Sequence, residues 1–123
     1  MSIVAYSPLQ RGLLTGKIKP GHRFNEGDTR EGNRFYTDEN IKRTNKLLEH
    51  IKPIAEKYNA TLGQIVINWT LHQPGITCAL VGARDVKQVM DNVKAVSFDL
   101  SAEEISSITQ LSNELELVVP QKV

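Results

Sequence analysis

The sequence has a single cysteine, Cys78, set in an apolar stretch, so an internal disulfide is excluded, and no Cys/His cluster stands near it to build a zinc site. A reducing compartment is expected. Neither sign of charge dominates: 15 Lys and Arg face 14 Asp and Glu, mixed along the chain, which speaks against a nucleic-acid or anionic-membrane surface. No run approaches the ~18 apolar residues of a membrane span. Met1 to Tyr6 lack the basic start and full apolar segment of a secretion signal, and a cytoplasmic protein is expected. Internal repeats and low-complexity tracts are also missing. What is present, 123 residues with 40% hydrophobic content, amounts to about one domain with enough apolar material for a core.

The chain opens on Ile3, Val4 and Ala5, which read as a buried strand with almost nothing before them. From Ser7 to Tyr36 runs an irregular segment of about 30 residues, holding seven Pro and Gly, a length that points to function. Thr37 or Asp38 caps a helix with Ile41, Leu47, Leu48, Ile51, Ile54, Ala55 and Tyr58 at helical spacing; Pro53 either kinks it or starts a second helix. Thr61 and Gln64 spell a capping box before a helix apolar on most sides. Gln73, Pro74 and Gly75 end it. A strand from Thr77 to Val81, a helix from Asp85 to Val96, and a helix opened by the Ser101/Glu104 box with Ile105, Ile108, Leu111 and Leu115 inward complete the pattern. The tail from Val118 to Val123 carries no clear signal. Strand, helices, strand, helices is the order of a parallel β/α fold, yet two strands leave both sheet edges open and much helix surface uncovered. The sequence reads as a piece of a larger fold.

Two stretches carry the chemistry. The turn Val81-Gly82-Ala83-Arg84-Asp85 joins a strand to a helix, and such a helix start presents free N–H groups and partial positive charge to an anion. Gly82 permits close approach and Arg84 adds a cation, while Gln88, Asp91 and Asn92 share one helix face. The plainer alternative is that Asp85 and Gln88 form a capping box and Arg84 and Asn92 are merely solvated. The other stretch, Tyr6-Ser7-Pro8-Leu9 with Gly12-Leu13-Leu14-Thr15-Gly16-Lys17, follows the first strand. Its Ser7, Thr15, Lys17 and backbone N–H groups are potential donors to a pyrophosphate, and Tyr6 is a ring available for stacking. An ordinary turn is the alternative there.

Together, Y-S-P-L-x-x-G-L-L-T-G-K at Tyr6 to Lys17, G-Q-I-V-I-N-W at Gly63 to Trp69, and V-G-A-R-x-x-x-Q-x-x-x-N at Val81 to Asn92 resemble the aldo-keto reductase family, from about Ile3 to Leu117. The resemblance implies an α/β chain that is an incomplete C-terminal segment of a (β/α)8 TIM barrel, with two parallel strands and a mostly helical remainder. It implies NADPH as cofactor and reduction of aldehydes or ketones by hydride transfer in the complete protein. The cofactor-binding residues it implies are Tyr6 on the nicotinamide, Ser7, Leu9, Gly12 and Lys17 around the pyrophosphate, and Gly82, Arg84, Gln88, Asp91 and Asn92 on the adenosine 2′-phosphate and adenine. Residues 1–123 are then one partial oxidoreductase domain, with 7–36 as a cofactor-clasping loop. Either Arg30 or Arg34 is the loop arginine that the family places near the cofactor.

The family's catalytic Asp, Tyr, Lys and His lie on earlier strands, upstream of the Y-S-P-L strand, so no catalytic residue and no metal ligand is expected here. His22, His50 and His72 read as surface or helix-end residues, and Tyr36 and Tyr58 as packing residues. An inactive isolated chain is expected, a cofactor-binding portion only. The alternative is a non-catalytic fragment that acts through self-association or through a partner such as the missing N-terminal barrel half.

Overall fold

The computed structural model describes residues 1–118. The elements are β1 (Ile3–Tyr6), α1 (Asp38–Lys57), α2 (Leu62–Leu71), β2 (Ile76–Leu80), α3 (Val86–Val93) and α4 (Ala102–Glu114), with single 3-10 turns at Leu13–Thr15, Arg34–Tyr36 and Lys94–Val96. Two parallel strands stand in a mostly helical chain, as expected. β1 and β2 pair in the register Ile3 to Ile76, Val4 to Cys78, Ala5 to Ala79 and Tyr6 to Leu80, with one irregularity after Ile3. β2 therefore stops at Leu80, one residue short of the expected Val81. The cause is its partner: Ser7 takes a left-handed φ of 52° and carries β1 out of the sheet.

Thr37 is the cap of α1, its hydroxyl accepting the Asn40 N–H at 3.3 Å. Asp38 instead accepts the Gly21 N–H at 2.7 Å and pins the long loop to the helix start. α1 runs unbroken through Pro53, so the two-helix alternative is set aside. Proline costs the hydrogen bond to the Glu49 carbonyl, but Pro53 and Glu49 are both exposed and water can serve the freed oxygen. Asn59, at φ 50°, closes the helix in the left-handed conformation, and the Ala60 N–H reaches back to the Ala55 carbonyl at 2.9 Å.

α2 is the hub. Gly63 through Asn68 are all buried, which is what a helix apolar on most sides demands. Ile65 packs with Leu48, Ile51 and Ala55 of α1 and with Leu100 and Ile108 around α4. Each such aliphatic side chain, fully buried, contributes roughly 1.5–3 kcal/mol. Two polar side chains on α2 reach across to the α3 region. Gln64 completes the Thr61 capping box and donates Nε2 to the Asp91 carbonyl at 2.8 Å. Asn68 Nδ2 donates to the carbonyls of Ala95 (2.9 Å) and Phe98 (2.8 Å). Trp69 Nε1 donates to Thr109 Oγ1 at 3.0 Å and joins α2 to α4.

A smaller core of Leu13, Ile18, Tyr36 and Ile41, flanked by Phe24 and Phe35, holds the segment 7–36 against α1. The Ser101/Glu104 box opens α4 as expected, and Glu104 also takes the Lys57 ammonium at 3.2 Å and the Tyr58 hydroxyl. Ile108 is buried, Ile105 and Leu111 half-buried; Leu115 lies just past the helix end, also half-buried. The helix expected over Asp85 to Val96 is shorter, α3 tightening into a 3-10 turn after Val93, where Asn68 takes the Ala95 carbonyl. Val118 N–H donates to Asn40 Oδ1 at 2.8 Å; the rest of the tail reading lies outside the described residues. Among the described residues no helix is long and apolar enough to cross a membrane.

Candidate functional site

The sheet brings the two loops that follow β1 and β2 side by side, because parallel strands release their C-terminal ends in the same direction. An open cleft of about 980 Å³ lies there, bounded by both loops and by the start of α2. Nine of the ten residues expected to hold a cofactor line it: Ser7, Leu9, Gly12, Lys17, Gly82, Arg84, Gln88, Asp91 and Asn92. Tyr6, at the end of β1, is 81% exposed and does not.

The first loop is wound tightly. Ser7, Gln10 and Arg11 all have positive φ near 50°, a conformation that costs a non-glycine residue energy and clusters at ligand sites. Hydrogen bonds from the Gln10, Gly12 and Leu13 N–H groups to the Ser7, Leu9 and Gln10 carbonyls (2.9–3.2 Å) hold the coil, and buried Leu13 anchors it. Gly63 lets α2 approach: a Cβ there would sit 3.7 Å from Leu9 Cδ2 and 3.8 Å from Thr15 Cγ2. Thr15 does not serve as the expected ligand donor. Its hydroxyl proton goes to the Gly12 carbonyl at 2.7 Å, shaping the loop from within. Lys17 is exposed at the cleft and forms no ion pair among the described residues.

The second loop corrects the capping-box reading. Asp85 Oδ1 accepts the Gln88 N–H at 2.8 Å, which is half of such a box. Gln88 Oε1, however, reaches one residue further and accepts the Arg84 N–H at 2.7 Å. Asn92 Nδ2 donates to the Gly82 carbonyl at 3.3 Å. Gln88 and Asn92 thus fasten both halves of the turn to α3. Around Gly82 a Cβ would meet no atom within 4 Å, so the backbone there is open to a ligand. The Arg84 side chain is exposed and makes no hydrogen bond or ion pair among the described residues.

Of the two loop arginines, Arg30 lines the cleft, whereas Arg34 lies 4.8 Å over the Phe35 ring. Arg30 is built in: it pairs with Asp28 at 2.6 Å, donates Nη1 to the Arg11 carbonyl at 3.0 Å, and sits 4.7 Å over Phe24. Arg11 Nη2 in turn donates to Thr29 Oγ1 at 2.6 Å. The hydrogen bonds from Arg30 hold the Asp28 carboxyl well below the usual carboxylate range, and the same bonds raise Arg30 further. Asp91 meets Lys87 at 3.7 Å. Both carboxylates on the cleft are thus partnered, and among the described residues Arg84, Lys17 and Arg11 are the cations that line it without an ion pair.

His22, read from the sequence as a surface residue, is exposed, and it lines the cleft and packs edge-on against Phe24 at 4.8 Å. Its signal was weak, since nothing in the spacing told where the long loop returns. His50 and His72 ring nitrogens contact the carbonyls one turn back on their helices, at 2.8 Å each, which fits the helix reading. Tyr36 and Tyr58 hydroxyls are committed to the Gln10 carbonyl and to Glu104.

These features meet in one family. The chain belongs to the aldo/keto reductase family, whose model matches residues 1–113. It is 36% identical over 95% of its length to aldo-keto reductase str7 of Strobilurus tenacellus and 33% identical over 96% to aldo-keto reductase yakc [NADP(+)] of Schizosaccharomyces pombe. It is 30% identical over 93% to the NADH-specific methylglyoxal reductase of Escherichia coli. The chain spans about a third of the length of these relatives: 35%, 35% and 34%. Among solved structures, a glycerol dehydrogenase from Gluconobacter oxydans matches 99% of the chain with 38% of its own, at a TM-score of 0.81 and 25% identity. The chain is accordingly a small α/β portion of the family's (β/α)8 barrel.

Proposed function

We propose that the chain is the cofactor-gripping portion of an NADPH-dependent aldehyde or ketone reductase. The observation that carries this reading is the shared cleft. Two loops far apart in sequence bring an open glycine backbone at Gly82, the unpaired Arg84, the Lys17 ammonium and the clasped Arg30 to a single concavity. That set suits a dinucleotide phosphate: the α3 N-terminus and Arg84 take the adenosine 2′-phosphate, and the Ser7 to Lys17 coil takes the pyrophosphate. The Gln88 amide nitrogen makes no hydrogen bond among the described residues, and Gln88 lines the cleft, which leaves that nitrogen available to donate to the adenine.

Bound NADPH would supply a hydride to the carbonyl carbon. The residues of this chain bind and orient it; the proton donor belongs to strands outside this sequence. Relatives whose names specify NADP(+) and NADH both occur, so the preference for NADPH rests on Arg84. Calorimetric titration of the chain with NADP+ and NAD+ tests the reading. Arg84→Ala is expected to weaken NADP+ by about 1.5–3 kcal/mol, the scale of a charge-assisted hydrogen bond, and to leave NAD+ nearly unchanged. Equal losses for both would return Arg84 to a solvated role.

A further inference from the structure

Three consecutive residues of the first cleft loop, Gln10, Arg11 and Gly12, have φ of 48°, 54° and 95°. A left-handed turn of this length is disfavoured for residues that carry a Cβ, so other groups must hold it. They come from the far end of the long loop. Tyr36 Oη donates to the Gln10 carbonyl at 2.9 Å, across 26 residues, and Arg30 Nη1 donates to the Arg11 carbonyl at 3.0 Å. Tyr36 is itself fixed: it is 7% exposed, packs with Leu13, Ile18 and Ile41, and stands edge-on to Phe24 at 5.7 Å. Burial also pushes its phenol above the ordinary value, which keeps the proton on the oxygen that donates it.

A trans peptide unit is planar, with its carbonyl and its N–H on opposite sides. Fixing the Gln10 carbonyl therefore fixes the Arg11 N–H, which belongs to the same unit. The Gly12 N–H is spent on the Leu9 carbonyl at 3.1 Å and the Leu13 N–H on the Gln10 carbonyl at 3.2 Å. The Arg11 N–H makes no hydrogen bond among the described residues, and Arg11 lines the cleft. Packing accounts for the ring of Tyr36 but not for its hydroxyl, since the Gln10 carbonyl already has the Leu13 N–H as a partner. We propose that Tyr36 is a positioning residue for the dinucleotide: by holding the Gln10 carbonyl, its hydroxyl turns the Arg11 N–H toward the cleft as a donor to the pyrophosphate. This inference deepens the cofactor reading and rests on it.

The test is Tyr36→Phe, which removes the hydroxyl and keeps the ring. Calorimetric titration uses NADP+, NAD+ and adenosine 2′-monophosphate, the last of which carries no pyrophosphate. The variant is expected to weaken NADP+ and NAD+ by the same factor, about three- to tenfold, and adenosine 2′-monophosphate by less than about twofold. Circular dichroism should show an unchanged fold, because the ring stays beside Phe24 and the Gln10 carbonyl keeps the Leu13 N–H. A dinucleotide loss under about twofold, or an equal loss for adenosine 2′-monophosphate, would overturn the proposal and leave the cofactor reading standing. A variant that does not fold would do the same, by making Tyr36 a stability residue. A wild-type chain that binds neither dinucleotide would overturn the cofactor reading, and this proposal with it.

Discussion

The Arg84 backbone N–H donates to the Gln88 side-chain oxygen at 2.7 Å, one residue outside the position that a capping box would use. One glutamine thereby sets the backbone of the turn while leaving the Arg84 guanidinium free to meet a ligand. Gln88 and Arg84 act by different routes, and substitutions separate them.

Gln88→Ala removes the tether and leaves the guanidinium. A net hydrogen bond of this kind is worth about 0.5–1.5 kcal/mol, so affinity should fall by roughly 2- to 12-fold. Unlike Arg84→Ala, the loss should be the same for NADP+ and NAD+, because the turn serves both. A loss confined to NADP+ would mean that Gln88 touches the 2′-phosphate itself.

Gly82→Val tests the open backbone. No atom lies within 4 Å of where its Cβ would stand and its φ is not in the left-handed region, so the chain should fold with an unchanged Tm. A branched side chain there fills the space a phosphate needs, and dinucleotide affinity should drop by about tenfold or more. Unchanged affinity by calorimetry would place the ligand elsewhere.

Much of this site was legible because its parts are local. Thr61 with Gln64 and Ser101 with Glu104 announce two helix starts through spacing alone, and both boxes are fully formed. The glycines and the Y-S-P-L and G-A-R segments mark both loops. What spacing does not encode is the path of a long loop. The choice between Arg30 and Arg34 depends on Asp28, Phe24 and the Arg11 carbonyl converging on one guanidinium, contacts set by the small core around Leu13 and Tyr36. That exposed His22 borders the cleft depends on the same loop path. The shift from Asp85 to Arg84 as the partner of Gln88 is a matter of one residue, below what a motif resolves.

Acid should weaken the junction of α1 and α4 in a defined window. Burial resists the charge on Glu104 and is the largest single influence, but the bonds from Tyr58, Ser101 and Lys57 together outweigh it and hold the carboxyl at about 2, against an ordinary 4.5. A folded-state value below the unfolded one means stability that is fully present above pH 4.5 and lost as pH falls toward 2. Glu104→Gln should lower stability at neutral pH and flatten that part of the profile, leaving the slope that Asp28, also depressed, contributes at lower pH. Denaturant melts at several pH values check this; an unchanged slope between pH 4.5 and 2 would show that Glu104 does not carry it.

Asn68 is the polar residue on which the far side of the site depends. It is 2% exposed, and its one amide nitrogen serves two carbonyls, Ala95 and Phe98, that end the α3 region. Asn68→Leu keeps the volume but strips both acceptors of their partner in a dry place, at about 1–3 kcal/mol for each buried group left unsatisfied. Part of that is recovered, because Asn68 Oδ1 itself has no partner among the described residues and leucine removes that burden. A net loss of about 2–4 kcal/mol is therefore expected in a denaturant melt. Asn68→Asp should be worse, since a carboxylate then faces two carbonyl oxygens and repels both. Hydrogen exchange should localise the damage to 86–98, with the α1 amides of the main core still protected. Uniform loss of protection would mean that Asn68 holds the core as a whole, and that α3 is not a separately tethered arm of the cleft.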